Sequence, residues 1–158
     1  MEDPSVIHNT FVVERNYPIP PERAFAAFAD PVKKRRWFAA SESHEVETFE
    51  MDFQAGGKEV ALYRFKEGTP FPGAILRNES WYQDIVPNRR IVVAQTMSLG
   101  DRHISSALVT FEFLPSEGGT EVVLTHQAAF FEGSDGPTMR EQGWRTLLDR
   151  LAQDLAGC

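Results

Sequence analysis

Phe11, Val13 and Tyr17 lie on one side of a period-two alternation with Glu14 on the other, so Thr10 to Tyr17 reads as a strand. Arg15 falls on the apolar side of that strand. Pro18, Pro20 and Pro21 end it and prepare a helix start, because proline suits a first helical turn. Glu22 to Ala29 then carries Phe25 and Phe28 three apart, the mark of a short helix with one aromatic edge. Asp30-Pro31 is a second start signal, a capping carboxylate before a proline, for a helix running through Lys33-Lys34-Arg35-Arg36 to Trp37 and Phe38.

Beyond Glu45 the period stays at two almost to Phe130. Phe49, Met51 and Phe53 alternate with Glu50, Asp52 and Gln54, and Gly56-Gly57 turns the chain into a return strand, Val60 to Phe65. Gly68, Pro70, Pro72 and Gly73 mark a connection to a long strand, Ala74 to Val86, closed by Pro87-Asn88. Ile91 to Met97, His103 to Leu114 and Thr120 to Phe130 follow, separated by Gly100-Asp101 and Gly118-Gly119. Strands joined this tightly form an antiparallel meander, since parallel pairing needs long crossovers.

The period then changes to 3.6. Gly133, Gly136 and Pro137 break the last strand, Thr138-Met139-Arg140-Glu141 fits a capping box, and Trp144, Leu147, Leu148, Leu151 and Leu155 form one apolar stripe. The sheet is the one surface large enough to take that stripe. Gly143, in mid-helix beside Trp144, gives up roughly 1 kcal/mol relative to alanine. The expectation is that it allows close approach to a strand or leaves room in a cavity, with Trp144 buried against the sheet. The fold class is therefore α+β: one strand, two short helices, six strands, one long helix.

Composition narrows the function classes. The 158 residues suit a single domain, 1–158, with an ordered core of about 8–156. Sixteen Lys and Arg against 23 Asp and Glu leave a net charge of −7, which argues against a nucleic-acid partner. No apolar run approaches the ~20 residues of a membrane span, and Met1-Glu2-Asp3-Pro4 does not begin a secretory signal, so a cytoplasmic location is expected. The lone cysteine, Cys158, precludes an intrachain disulfide or a cysteine metal cage. His8, His44, His103 and His126 are not spaced as metal ligands, and His44-Glu45 fails as a zinc-protease motif because position 48 is Thr. No metal and no cofactor is expected. The chain holds no nucleophile elbow, phosphate-binding loop or dinucleotide fingerprint. Asn78-Glu79-Ser80 is a glycosylation triplet by pattern alone, and Lys33 to Arg36 reads as a solvated basic face.

Several segments together resemble one family. Phe25-Ala26-Ala27-Phe28-Ala29-Asp30-Pro31 with Arg36-Trp37-Phe38, Asp52 to Glu59, Asp84 to Val92, Gly118-Gly119-Thr120, and Gly143-Trp144 leading into Leu147 to Leu151 are similar to the bacterial activator-of-heat-shock-protein-ATPase homologues of the START-like, helix-grip superfamily. The resemblance spans about Phe11 to Leu155. It implies a curved antiparallel sheet gripping the C-terminal helix, with a cavity between them. Chaperone activators, polyketide-cyclase-like proteins and lipid carriers share this domain, so the fold does not select an activity.

Candidate cavity residues are those whose polarity or size stands out on inward faces. Val122, Leu124, His126, Ala128 and Phe130 share the better inward face of the last strand, and an imidazole there needs a hydrogen-bond partner or a ligand. Arg15 needs an acid or solvent, and Glu59 is a candidate acid. Arg140 lies within the apolar arc of the long helix, placed either to pair with a ligand carboxylate or to snorkel to water. Trp37, Trp81, Tyr82, Phe111, Phe130 and Trp144 could line a pocket for a flat or greasy ligand, although core packing accounts for most of them.

Three functions remain open at this level. The first is a non-enzymatic binding domain for a small apolar or amphipathic molecule. The second is a partner-binding module of the co-chaperone type, with a chaperone ATPase as the partner. The third is a cyclase- or hydrolase-like enzyme using His126, Arg15 and Glu59, which requires those three to converge on one cavity. A homodimer is compatible with each.

Overall fold

The computed structural model describes residues 5–157. The readings that rest on Met1 to Pro4 and on Cys158 lie outside the described residues. Seven strands form one antiparallel sheet: β1 (Ile7–Tyr17), β2 (His44–Met51), β3 (Lys58–Phe65), β4 (Ile75–Val86), β5 (Arg90–Leu99), β6 (Arg102–Ser116) and β7 (Gly119–Phe130). The order across the sheet is β1-β7-β6-β5-β4-β3-β2. Six strands are thus the expected meander, and β1 closes the far edge by pairing with β7, Ile7 opposite Phe130 and Tyr17 opposite Thr120.

Helices α1 (Pro21–Ala29) and α2 (Pro31–Lys34) follow β1, and the long helix α3 (Gly136–Ala156) lies across the concave face. Asp30 caps α2 as expected, its carboxylate accepting from the amides of Val32 at 2.9 Å and Lys33 at 3.3 Å. The helix then does not continue as α to Phe38. Arg35–Ala39 is a π-helical turn, closed by the Ala40 amide on the Arg35 carbonyl at 3.0 Å. Trp37, Phe38 and Ala39 are all buried, and an ordinary α-helical step of ~100° would carry one of three consecutive side chains to solvent. The Trp37 indole N–H anchors the turn by donating to the Ala27 carbonyl at 2.9 Å.

The capping box is a second correction. α3 starts at Gly136 with Asp135 in the cap position; the Asp135 side chain makes no cap bond, the Gly136 amide donates to the Ser134 hydroxyl at 3.2 Å, and Thr138 stands inside the first turn. The Asp135 carboxylate is engaged instead by Arg140. β2 also ends earlier than its alternation suggests, at Met51. Asp52 to Gly57 fold into a turn that docks on β4, with the Gly56 amide donating to the Tyr82 carbonyl at 2.7 Å. A side chain on Gly57 would collide with the Asp52 carbonyl oxygen, which explains the second glycine of that pair.

Register shifts between Val46 and Thr48, between Tyr82 and Asp84, and between Met97 and Ser98 mark bulges in β2, β4 and the β5–β6 pair. Each bulge bends its strand and exchanges which side chains face inward, so Phe49, Met51 and Ile85 reach the core although their parity from the strand start points them out. The core sits between the concave face, α1, the π turn and α3, and includes Phe11, Phe28, Trp37, Phe113, Leu124, Phe130, Leu148 and Leu151.

Candidate functional site

α3 meets the sheet unevenly. Toward β1 it packs closely: Leu148 and Leu151 are fully buried, and the Tyr17 hydroxyl donates to the Leu148 carbonyl at 2.8 Å. Toward β3, β4 and β5 it stands off, leaving a cavity of about 380 Å³, within the range of small-molecule sites. One wall is the helix, from Met139 through Gly143 and Leu147 to Arg150, about 16 Å of axis at 1.5 Å per residue. The other is the inward row of Tyr63, Leu76, Asn78, Gln95 and Met97, with Phe38 of the π turn and Trp144 at the inner end. The lining is mainly apolar. Shallower hollows elsewhere, including one on the outer face between β1 and β6 bordered by His8, Ala94 and Leu108, do not lie beneath the helix.

Polar groups in the cavity differ in how well they are satisfied. The Asn78 side chain is buried, and its Oδ1 has no hydrogen-bond partner among the described residues. Burying such an acceptor without a partner costs about 1–3 kcal/mol. Arg140 is also buried, but both branches of its guanidinium grip Asp135 at 2.8 Å, a third nitrogen donates to the Ser105 hydroxyl at 3.0 Å, and the group lies over the Phe130 ring. Burial alone would push the Asp135 carboxyl up, but the hydrogen bonds and charge of Arg140 outweigh it and hold the group below the usual carboxylate range. Arg140 therefore neither snorkels nor offers a free charge to a ligand carboxylate.

Behind Phe38, Gln95 and Trp144 lies a cleft of only about 10 Å³, enough for one water at most. Glu59 sits there between two donors, the Lys34 ammonium at 2.7 Å and the Tyr82 hydroxyl at 2.5 Å. Burial first, then the Glu59 charge and hydrogen bond, push the Tyr82 hydroxyl far above its ordinary range, so it stays a donor. Glu59 is not the partner of Arg15. Arg15 bonds Asp149 at 3.2 Å on the flank of α3, because Val122 of β7 lies beside it while four strands separate it from Glu59 on β3.

His126 is fully buried on the inward face of β7, as its alternation indicates, yet it does not line the cavity. Its ring stacks on Phe11 at 4.6 Å and faces Phe130 at 6.2 Å, and neither nitrogen has a hydrogen-bond partner among the described residues. Burial, reinforced by the Arg140 charge, lowers its pKa from 6.5 to about 4. The constellation of Arg15, His126 and Glu59 does not assemble: no hydrogen bond joins any two, and each is held in a different environment.

The other aromatic candidates divide. Trp144 lines both the cavity and the cleft, while Tyr82 and Phe111 line the cleft alone. Phe130 and Trp37 are core residues away from both. Trp81 points from the outer face, under the Lys58 ammonium at 5.3 Å, because it neighbours inward-facing Tyr82 on β4. Gly143 is exposed at the cavity rim, where an added Cβ meets nothing within 4 Å, so it makes no close approach to a strand. Trp144 is buried, against Phe38 and Phe111.

Sequence reasoning missed Asn78, His44, Tyr63 and Arg150 of the cavity wall. Asn78 had a usable signal: it shares its strand face with Leu76, Ser80 and Tyr82, an inward row of unusual polarity. Among the described residues no group of three His, Cys, Asp or Glu is arranged to hold a metal ion, and no helix is long and apolar enough to cross a membrane.

The profile of the Activator of Hsp90 ATPase homolog 1-like protein family matches residues 18–156. A putative uncharacterized protein from Rhizobium leguminosarum is 35% identical and superposes with a TM-score of 0.90, over 98% of each chain. A protein from Rhizobium loti is 42% identical with a TM-score of 0.84, over 95% of this chain and 99% of its own. An AHSA1 protein from Silicibacter pomeroyi, at 23% identity and a TM-score of 0.71 over 94% and 98%, shares the fold. No curated protein matches the chain significantly.

Proposed function

The chain belongs to the Activator of Hsp90 ATPase homolog 1-like family, and we propose that it is a binding domain that takes a small hydrophobic or amphipathic molecule between α3 and strands β3 to β5. One observation carries the reading. The cavity of about 380 Å³ is walled by apolar side chains and contains a buried acceptor, Asn78 Oδ1, that the described residues leave without a donor. Covering the apolar wall gains ~25 cal/mol per Å² removed from water, and a ligand hydroxyl or N–H that meets the Asn78 amide after a turn of its side chain would remove the cost of an unmade hydrogen bond. Turnover would need a paired acid and base on the cavity wall; His44 offers a base there through Nδ1, but the carboxylates that would complete such a pair are engaged. Asp135 is tied to Arg140, and Glu59 sits outside the cavity between Lys34 and Tyr82. Binding without chemistry therefore fits the wall better than catalysis does.

The test is native mass spectrometry of freshly purified protein, followed by titration of the delipidated chain with medium-chain amphiphiles monitored by amide NMR. Shifts concentrated on Asn78, Met97, Gly143 and Leu147 are the expected result. Shifts scattered over the outer face, or none, would sink the proposal. A chaperone ATPase as partner rests on the family name alone, and a pull-down with stimulated ATP turnover would promote it.

A further inference from the structure

The two arginines of the cavity wall are in opposite electrostatic states. Arg140, near the start of α3, is cancelled by Asp135, the one carboxylate of the lining. Arg150, three turns along the same helix, lines the other end of the cavity and is half-buried. Among the described residues no carboxylate comes within 4.0 Å of its guanidinium nitrogens. The lining thus carries one uncompensated positive charge, in a chain of net charge −7.

The groups facing Arg150 are neutral, and the charges around them add to that imbalance. His44 donates from Nε2 to the Ala39 carbonyl at 2.6 Å, since a carbonyl can only accept, which leaves Nδ1 with its lone pair. Burial lowers the His44 pKa, and Arg150 and Lys66 push it further down against the Ala39 hydrogen bond. Tyr63 packs on His44 with ring centroids 4.3 Å apart and feels Arg150 and Arg35, with Glu59 the opposing charge. Glu59 is itself occupied by Lys34 and Tyr82. Arg150, Lys66 and Arg35 therefore bias one end of an apolar cavity toward a negative group.

We propose that the ligand of this cavity is an amphipathic monoanion, with a carboxylate head on Arg150 beside His44 and Tyr63 and a hydrocarbon body along α3 over Leu147, Met97 and Trp144. This rests on the binding function proposed above and adds the charge and orientation of the ligand. A carboxylate matches the guanidinium fork, and a charge-assisted hydrogen bond shielded by apolar walls is stronger than a neutral one.

Calorimetric titration of the full chain with octanoate, 1-octanol and octylammonium at neutral pH tests the head group at constant chain length. Octanoate should bind about tenfold more tightly than 1-octanol, the equivalent of one charge-assisted hydrogen bond, and octylammonium more weakly than either. Arg150→Gln should lower octanoate affinity by about tenfold and leave 1-octanol within about twofold, with Arg150→Lys in between. In NMR titrations, octanoate should raise the pKa of His44 and 1-octanol should not. Equal affinity for octanoate and 1-octanol, or an anion preference that survives Arg150→Gln, overturns the monoanion while leaving the cavity function standing. If none of the three binds, both fall.

Discussion

The two halves of the space beneath α3 are built from the same kind of strand and reach opposite outcomes. Beneath β1, β6 and β7 the inward side chains include Phe11, Val13, Val109, Phe111, Phe113, Val122, Leu124 and Phe130, buried in one continuous core with His126 among them. Phe113 meets Phe25 and Phe28 edge-on at 5.4 and 5.2 Å. Beneath β3, β4 and β5 the inward row mixes Tyr63, Leu76 and Met97 with Ala61, Asn78, Ser80 and Gln95, and its smaller and polar members leave space below the helix. The cavity reflects side-chain size and polarity along these strands together with the bulges that bend β4 and the β5–β6 pair. The polar bond of Lys34, Glu59 and Tyr82 stands at the border between the halves.

Truncating the packed half should cost most. Phe113→Ala is expected to destabilise by about 3–5 kcal/mol in urea unfolding, whereas Leu147→Ala on the cavity wall should cost about 1 kcal/mol because the space beside it is already open. Equal losses would erase the distinction between the halves. At the border, Glu59→Ala leaves the Lys34 ammonium buried without its partner and should cost about 3 kcal/mol or more. A loss below about 1 kcal/mol would mean that Lys34 escapes to water.

Acid should act on the packed half through His126. Its pKa is about 4 in the fold against 6.5 for an unperturbed imidazole, so between those values the unfolded chain binds the extra proton. Stability is then full above about pH 6.5 and falls as pH drops toward 4, by up to about 3 kcal/mol. His126→Leu should flatten that part of the pH profile and raise stability at neutral pH by about 1 kcal/mol, since it removes two unpartnered buried nitrogens. An unchanged profile would place the acid sensitivity elsewhere. The smallest stability effect belongs to the open half: Gly143→Leu should gain up to about 1 kcal/mol of helix propensity. It should also abolish ligand binding by projecting into the cavity mouth. A variant that binds as before would show the rim to be wider than the geometry implies.

Much of the architecture was legible because it is written in local periodicity. The period-two runs located all seven strands, and the Gly57 and Gly119 turns hold glycines where a Cβ would strike the carbonyls of Asp52 and Tyr17. The inward face of β7 and the stripe of α3 emerged from spacing alone. Bulges were not legible, because one extra residue changes the facing of Phe49 and Ile85 without changing the composition around it. The π turn was hidden for a similar reason: its cause is the demand of the core for three consecutive residues.

The candidate site divides along the same line. Alternation placed His126 and Arg15 on inward faces but left the neighbours Trp81 and Tyr82 unresolved, and helical spacing placed Arg140 and Trp144 under α3. Alternation is a statement about one strand and its two faces. It carries no information on which groups from distant strands meet. Arg15 met Asp149, Glu59 met Lys34 and Tyr82, Arg140 met Asp135, and Arg150 met no carboxylate among the described residues. Those pairings depend on the strand order, on bulges that bend the sheet, and on how far α3 stands from each strand. Charge and hydrogen-bond satisfaction act over a few ångströms in three dimensions, so the tertiary structure alone decided which arginine is spent on the fold and which meets no carboxylate among the described residues.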